Sequence, residues 1–369
     1  MNKKILYCIE SLHNSGGMER VLTTKANYLS EHYNYDVHIA LRKEDSRPFF
    51  PLSPKVICHN LDSKSYNDYK KNLTALLYEI KPNISISMCG SEFSFLYKIK
   101  DGSKKIAEFH FTKYYLSYLV NGIENLRFRN LHRIKASWIQ KREARYAKHY
   151  DKVVLLTKQD LEIWGSPPNM TYIHNPLSFR SDKVSSLTNK KIVAVGRFIA
   201  QKGFLLLIEA FRIIAKKFPD WKLEIYGEGQ ELQLMQKRIK DYSLENQVVL
   251  CEPTNNIQDV FLQSSLFVFP SIYEGFGLVL TEAMECGVPC IAFDCECGPR
   301  EIIKDRRNGY LVKNKDVESF AKKMMLLMQD NYLRIQMGKR AKEDVSSFYL
   351  ENIMEHWHQL FINLCSSRL

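Results

Sequence analysis

The sequence predicts an α/β protein of two doubly wound domains facing across a cleft, and three observations lead there. Short β-branched or aliphatic runs alternate with helical patterns along the 369 residues. A chain of that length holds two domains at the usual size of about 100–200 residues each. Between Asn175 and Lys190 the text NPLSFRSDKVSSLTN loses periodicity and gains Pro, Ser and Asp, as a linker does. The strand-like runs are residues 5–8, 37–40, 84–87, 105–109 and 153–157 before the linker, and 192–195, 223–226, 248–250, 266–269 and 290–293 after it. Strands spaced by helices imply parallel sheets, so each side carries its own βαβ array. The domains are placed at residues 1–178 and 179–349. Helical patterns at 316–328, 332–345 and 352–364 close the chain, and with no strand after them the segment of about 350–369 is expected to pack back on the N-terminal domain.

Composition narrows the class. With 45% hydrophobic, 25% charged and 12% aromatic residues the chain is neither disordered nor low in complexity. Its net charge is +12, and residues 1–180 hold 28 basic against 17 acidic side chains while residues 181–369 hold 25 against 24. This asymmetry points to an anionic partner for the first half. The opening MNKKILYCIES has too short an apolar stretch for a signal peptide, and no window reaches the roughly 18 consecutive apolar residues of a spanning helix. A cytoplasmic protein with at most peripheral membrane contact is expected. Nine cysteines, odd in number and without a Cys-x-x-Cys pair, read as reduced core thiols.

The most informative stretch is residues 270–283, PSIYEGFGLVLTEA, where an apolar strand ends, two glycines follow and a helix begins. Gly275 and Gly277 let backbone approach a ligand, and the N–H groups opening the next helix favour a phosphate or sugar oxygen. Glu274 and Glu282 flank this turn, and carboxylates accept hydrogen bonds from sugar hydroxyls. Their bland alternatives are a solvated loop residue and a first-turn helix acid. In VGRFIAQKGF, residues 195–204, Arg197 and Lys202 lie at the carboxyl end of a strand, where open α/β sheets bind ligands and two cations neutralise a diphosphate. Gly16 and Gly17 form a further glycine turn, after the first strand, that is neither a dinucleotide fingerprint nor a Walker loop.

Taken together, SGGMER, GRFIAQKG and PSIYEGFGLVLTEAMECGVPCIA resemble family 4 of the retaining, nucleotide-sugar-dependent glycosyltransferases, which have the two-domain GT-B fold. The resemblance implies that Gly16 and Gly17 close over the donor phosphates and that Arg197 and Lys202 hold the diphosphate. It implies that Glu274 contacts the donor sugar, that Glu282 binds the ribose hydroxyls, and that Gly275, Phe276, Gly277 and Leu278 offer amides to sugar and phosphate. His110, in EFHFTKYY, is similar to the family's histidine at the rim of the donor sugar, its alternative being a strand-end core histidine. Cys251 and Pro253 stand where a Phe-Leu-Gly type sequence is commoner; that segment touches the base, so uracil specificity is less secure than the fold. CECGPREII, residues 295–303, resembles the capsule, exopolysaccharide and O-antigen branch. No Asp-x-Asp motif occurs, Asp294-Cys-Glu296 reading as a loop, so no metal and no other cofactor is expected beyond the nucleotide-sugar substrate, UDP-linked in the first instance.

Residues 127–152 hold nine Lys or Arg against two acids, interleaved with Phe128, Leu131, Ile134, Trp138, Ile139 and Tyr146. This suits an anionic membrane surface, with residues 114–120, YYLSYLV, inserting beside it; the alternative is an apolar stripe in the core and a solvated basic face. No nucleic-acid-binding motif is present. The expectation is a metal-independent transferase moving a sugar with retention onto a glycan or polyprenyl-diphosphate-linked glycan, peripheral at the inner face of the cytoplasmic membrane. The rivals are an epimerase or phosphorylase of the same shape, and an inactive nucleotide-sugar-binding, membrane-docking subunit.

Overall fold

The structure, a computed structural model, describes residues 3–14, 16–43, 47–121 and 126–366, with side chains at all of these except 119, 121 and 126–129. The chain divides into two compact units. Unit 1 comprises Met1–Ser117, Asn125–Ser178 and Leu350–Leu369, and unit 2 comprises Tyr118–Glu124 and Phe179–Tyr349.

Unit 1 runs β1 (Lys4–Ile9), α1 (Gly17–His32), β2 (Asp36–Leu41), β3 (Ile57–Asn60), α2 (Tyr66–Ile80), β4 (Ile84–Ser87), β5 (Lys104–Glu108), the start of α3 (Tyr115–Asn121, which counts with unit 2 from Tyr118 on), α4 (Leu126–Ala147), β6 (Lys152–Leu155), α5 (Lys158–Ile163) and β7 (Met170–Tyr172). Its seven strands are parallel in the order β3-β2-β1-β4-β5-β6-β7. Both faces of the central strands are covered, which is why β1 and β4 are buried nearly throughout and read as apolar or small residues rather than alternating. Helix α2 begins at a Ser65 cap that accepts from the Asp68 amide.

Unit 2 runs β8 (Lys191–Val195), α6 (Phe204–Ala215), β9 (Lys222–Tyr226), α7 (Leu232–Asp241), β10 (Val248–Cys251), α8 (Ile257–Leu262), β11 (Leu266–Phe269), α9 (Leu278–Glu285), β12 (Cys290–Asp294), α10 (Pro299–Ile302), β13 (Gly309–Lys313), α11 (Val317–Gln329) and α12 (Asn331–Asp344). Its six parallel strands take the order β10-β9-β8-β11-β12-β13, so the order reverses between β8 and β11. At such a point the loops leaving the two strands diverge and open a crevice. A last helix, α13 (Leu350–Ser366), lies in unit 1, where Ile353, Met354, Trp357 and Phe361 pack with Ile5, Tyr7 and Ile39.

Three strands escape the sequence reading: β3, β7 and β13. All three are edge strands; β3 and β7 are short and partly exposed, whereas β13 carries the apolar run Tyr310-Leu311-Val312 with Tyr310 and Val312 in the core. The expected linker also differs. It holds no helix or strand, yet the Ser181 amide donates to Glu285 Oε1 at 2.8 Å, the Ser185 hydroxyl donates to the Ser264 carbonyl at 2.6 Å, and Leu187 is buried. Its second half is thus packed onto unit 2.

Candidate active site

In unit 2 the loops leaving β8 and β11 are laced together. The Ile272 amide donates to the Gln201 carbonyl (2.8 Å), Gln201 Nε2 to the Tyr273 carbonyl (3.0 Å), and Asn314 Nδ2 to the Ile272 carbonyl (2.9 Å). Gly203, at φ +65°, brings the start of α6 against the Pro270 carbonyl, where any Cβ would collide. This lacing places Lys202 Nζ 2.6 Å from Glu274 Oε1, with the side chains 16% and 9% exposed. Glu274 is therefore a buried, ion-paired acid and not a solvated loop residue.

Gly277, at φ +97°, caps α9, whose first residue is Leu278. Phe276 is buried, and its carbonyl packs so closely on Gly298 that a Cβ there would collide with it. Glu282 is 1% exposed in the second turn of α9, which corrects the first-turn alternative. Gly275 lies between Glu274 and Phe276, half-exposed. Arg197 is exposed and its charge is felt at the Tyr273 hydroxyl, whose pKa burial raises. Cys251 ends β10, its carbonyl accepting from the Gly227 amide at 2.9 Å, and burial pushes its thiol pKa up; Pro253 lies beyond it, exposed.

Asp294 and Glu296 are both engaged. Asp294 pairs with Arg300, whose Nε donates at 2.8 Å, and Glu296 Oε2 accepts from the Tyr118 hydroxyl at 2.9 Å. The Tyr118 ring stacks on Tyr273 with centroids 4.6 Å apart. Tyr118 was expected in an inserting segment; instead it borders the Glu274 loop, and Val120 is buried. Nothing local signals that contact, since the partner is 178 residues away. Among the described residues no group of three or more His, Cys, Asp or Glu is placed to hold a metal ion.

Unit 1 holds the remaining candidates. Gly16 is the extended cap of α1, Gly17 is its first residue, and the Glu19 side chain folds back over Gly16 in the manner of a capping box. Ser15 of the same turn lies outside the described residues. His110 follows β5, its side chain 6% exposed and its Nε2 3.3 Å from Glu108 Oε1. Burial on its own would raise the Glu108 pKa, but Lys25 and His110 bring it down to about 2. Burial lowers that of Lys25. On α4, Leu131, Ile134 and Trp138 are exposed, Ile134 at 71%, and are not core, whereas Tyr146 of the same stripe packs against the core of unit 1. The side chains of Arg127 and Phe128 lie outside the described ones.

The two parallel, doubly wound sheets give the chain the GT-B fold. Residues 178–344 match the family model described as glycosyl transferases group 1. The chain is 29% identical over 367 residues to an uncharacterized glycosyltransferase of Haemophilus influenzae, covering 96% of this chain and 99% of the relative. It is 28% identical to the amylovoran biosynthesis glycosyltransferase AmsD of Erwinia amylovora, over 97% and 99% of the two chains. Among solved structures, a mutant of S. aureus TarM in complex with fondaparinux, alpha-GlcNAc-glycerol and UDP is similar in fold, with a TM-score of 0.78 at 19% identity over 97% of this chain and 99% of that one.

Proposed function

We propose that the protein is a family 4, retaining and metal-independent glycosyltransferase. It moves a sugar from a nucleotide diphosphate, UDP in the first instance, to a hydroxyl of a glycan or polyprenyl-diphosphate-linked glycan in surface polysaccharide biosynthesis. The observation that carries this reading is the Lys202–Glu274 pair beside the start of α9, at the strand-order reversal of unit 2.

In this reading Lys202, Arg197 and the first amides of α9 take the charge of the departing diphosphate, which is where fixed cations and aligned N–H groups lower a barrier most. Glu274 exchanges its ammonium partner for a donor-sugar hydroxyl. Glu282 binds the ribose, the backbone at Cys251 and Pro253 meets the base, and Gly275, Phe276, Gly277 and Leu278 present amides to sugar and phosphate. Gly16 and Gly17 meet the donor phosphates and His110 a sugar hydroxyl. The bond from the anomeric carbon to phosphate breaks while the bond to the acceptor oxygen forms on the same face. The leaving phosphate oxygen takes the acceptor's proton, so no further base is required.

Asp294 and Glu296 are bound to Arg300 and Tyr118, which supports assigning charge stabilisation to Arg197 and Lys202 rather than to a carboxylate-held metal. The name of AmsD and the glycan ligands of the TarM complex support a polysaccharide acceptor. Exposed Leu131, Ile134 and Trp138 among Arg133, Lys135, Lys141 and Arg142 support peripheral docking on an anionic membrane from the cytoplasmic side. The test is a panel of UDP- and GDP-sugars scored for slow hydrolysis and for a rise in melting temperature. A response to one UDP-sugar is expected; silence across the panel, with UDP itself giving no shift, overturns the reading.

A further inference from the structure

We propose that Glu108 is the positioning residue of His110, and that Lys25 and, through it, Trp357 of the C-terminal helix hold Glu108 in that role. This rests on the reading that His110 meets a sugar hydroxyl.

The argument starts from an ion pair that the core does not need for packing. Glu108, the last residue of β5, and Lys25 of α1 have side chains 1% and 0% exposed. Lys25 Nζ donates to both Glu108 oxygens, at 2.7 and 2.6 Å. The same ammonium lies 3.7 Å from the ring centroid of Trp357 and 5.6 Å from that of Tyr7. A carboxylate on one side and two aromatic faces on others leave the charge desolvated but matched. Apolar residues of the same volume would serve stability as well or better, so the pair calls for another task.

That task lies two residues along the chain. His110 Nε2 sits 3.3 Å from Glu108 Oε1, is buried, and makes no aligned hydrogen bond among the described residues. A small rotation of the ring turns this contact into an Nε2–H donation to the carboxylate. The donation fixes the proton on Nε2 and leaves Nδ1 as an acceptor for a hydroxyl hydrogen. Glu108 can do this only while ionised, and it stays ionised because Lys25 and Trp357 enclose the opposite charge. The helix α13 therefore reaches the chemistry through one lysine.

The test compares the full-length wild type with the double variant E108Q/K25M, which removes both charges and strands neither. The histidine ring nitrogens are labelled with 15N, and the shifts of His110 report its tautomer directly. The proton is expected on Nε2 in the wild type and shared between both nitrogens in the double variant, with kcat for UDP-sugar hydrolysis lower by about tenfold and UDP affinity unchanged. The variant W357L is expected to move the same His110 signals with the circular dichroism of the chain intact. Identical His110 signals in the wild type and the double variant overturn the proposal. Should the tautomer change while H110A hydrolyses the donor as the wild type does, the positioning stands and the assignment of His110 to the sugar falls.

Discussion

Lys202 and Glu274 meet at 2.6 Å from loops on opposite sides of the strand-order reversal in unit 2. In the proposed function an arriving diphosphate would compete with Glu274 for the ammonium, and Glu274, once displaced, would accept from a hydroxyl. Cation and acid are thus held ready in each other's company, and removing either has a distinct signature.

Removing the cation touches the rate. Lys202→Ala is expected to lower turnover by about two orders of magnitude or more, since one lost donor to developing charge costs roughly 3–4 kcal/mol. EDTA is expected to leave the wild type's steady-state rate unchanged. Full dependence on added Mg²⁺ or Mn²⁺ would defeat the metal-free mechanism.

The two acids separate by calorimetry. Glu282→Ala is expected to weaken affinity for free UDP, whereas Glu274→Ala keeps or raises it, because Lys202 no longer has a competing partner, and damages transfer instead. Equal losses of UDP affinity in both variants would show the roles to be misassigned.

The pH dependence of stability follows from Glu108. Its pKa is about 2 in the folded chain, below the ordinary carboxylate value. A lowered acid pKa stabilises the fold above the ordinary range, and that contribution is lost as pH falls from there towards about 2, where the unfolded chain takes up the proton first. Urea midpoints measured from pH 5 downwards are expected to fall more steeply for the wild type than for E108Q/K25M. Parallel slopes would refute the assignment.

Docking on a membrane is tested with vesicles. Each Lys or Arg near an anionic surface is worth about 1 kcal/mol before screening, and the Debye length shrinks from about 10 Å at 0.1 M salt to 3 Å at 1 M. Binding is expected to require anionic lipid and to weaken with salt. Replacing Arg133, Lys135, Lys141 and Arg142 with Gln should abolish it and spare donor hydrolysis, and Trp138→Ala should weaken it at every salt concentration. A wild type that ignores anionic vesicles at low salt has a merely solvated face.

Legibility followed burial and chain distance. Strands β4, β8 and β11 announce themselves because covered faces demand apolar or small residues, whereas β3 and β7 at the edges do not. Glu274 and Glu282 could be found because Gly275 and Gly277 mark the turn between them. The pairing of Glu274 with Lys202 could not, being set by which loops the sheet topology brings together. Lys25 left a trace that was passed over: it shares the face of Leu22, Ala26 and Leu29, all buried at helical spacing. A lysine on an apolar stripe needs a buried partner, and Glu108 is that partner. Tyr118 left none.

Helix α13 also sets an order of events in biosynthesis. Unit 1 is translated first but is completed last, because Leu350–Ser366 follow the whole of Phe179–Tyr349. Domains tend to fold as they emerge, so unit 2 can close its sheet while Ile5, Tyr7 and Ile39 still await the cover of Trp357 and Phe361. During that interval the nascent chain shows the translation machinery an open apolar face on one side of unit 1.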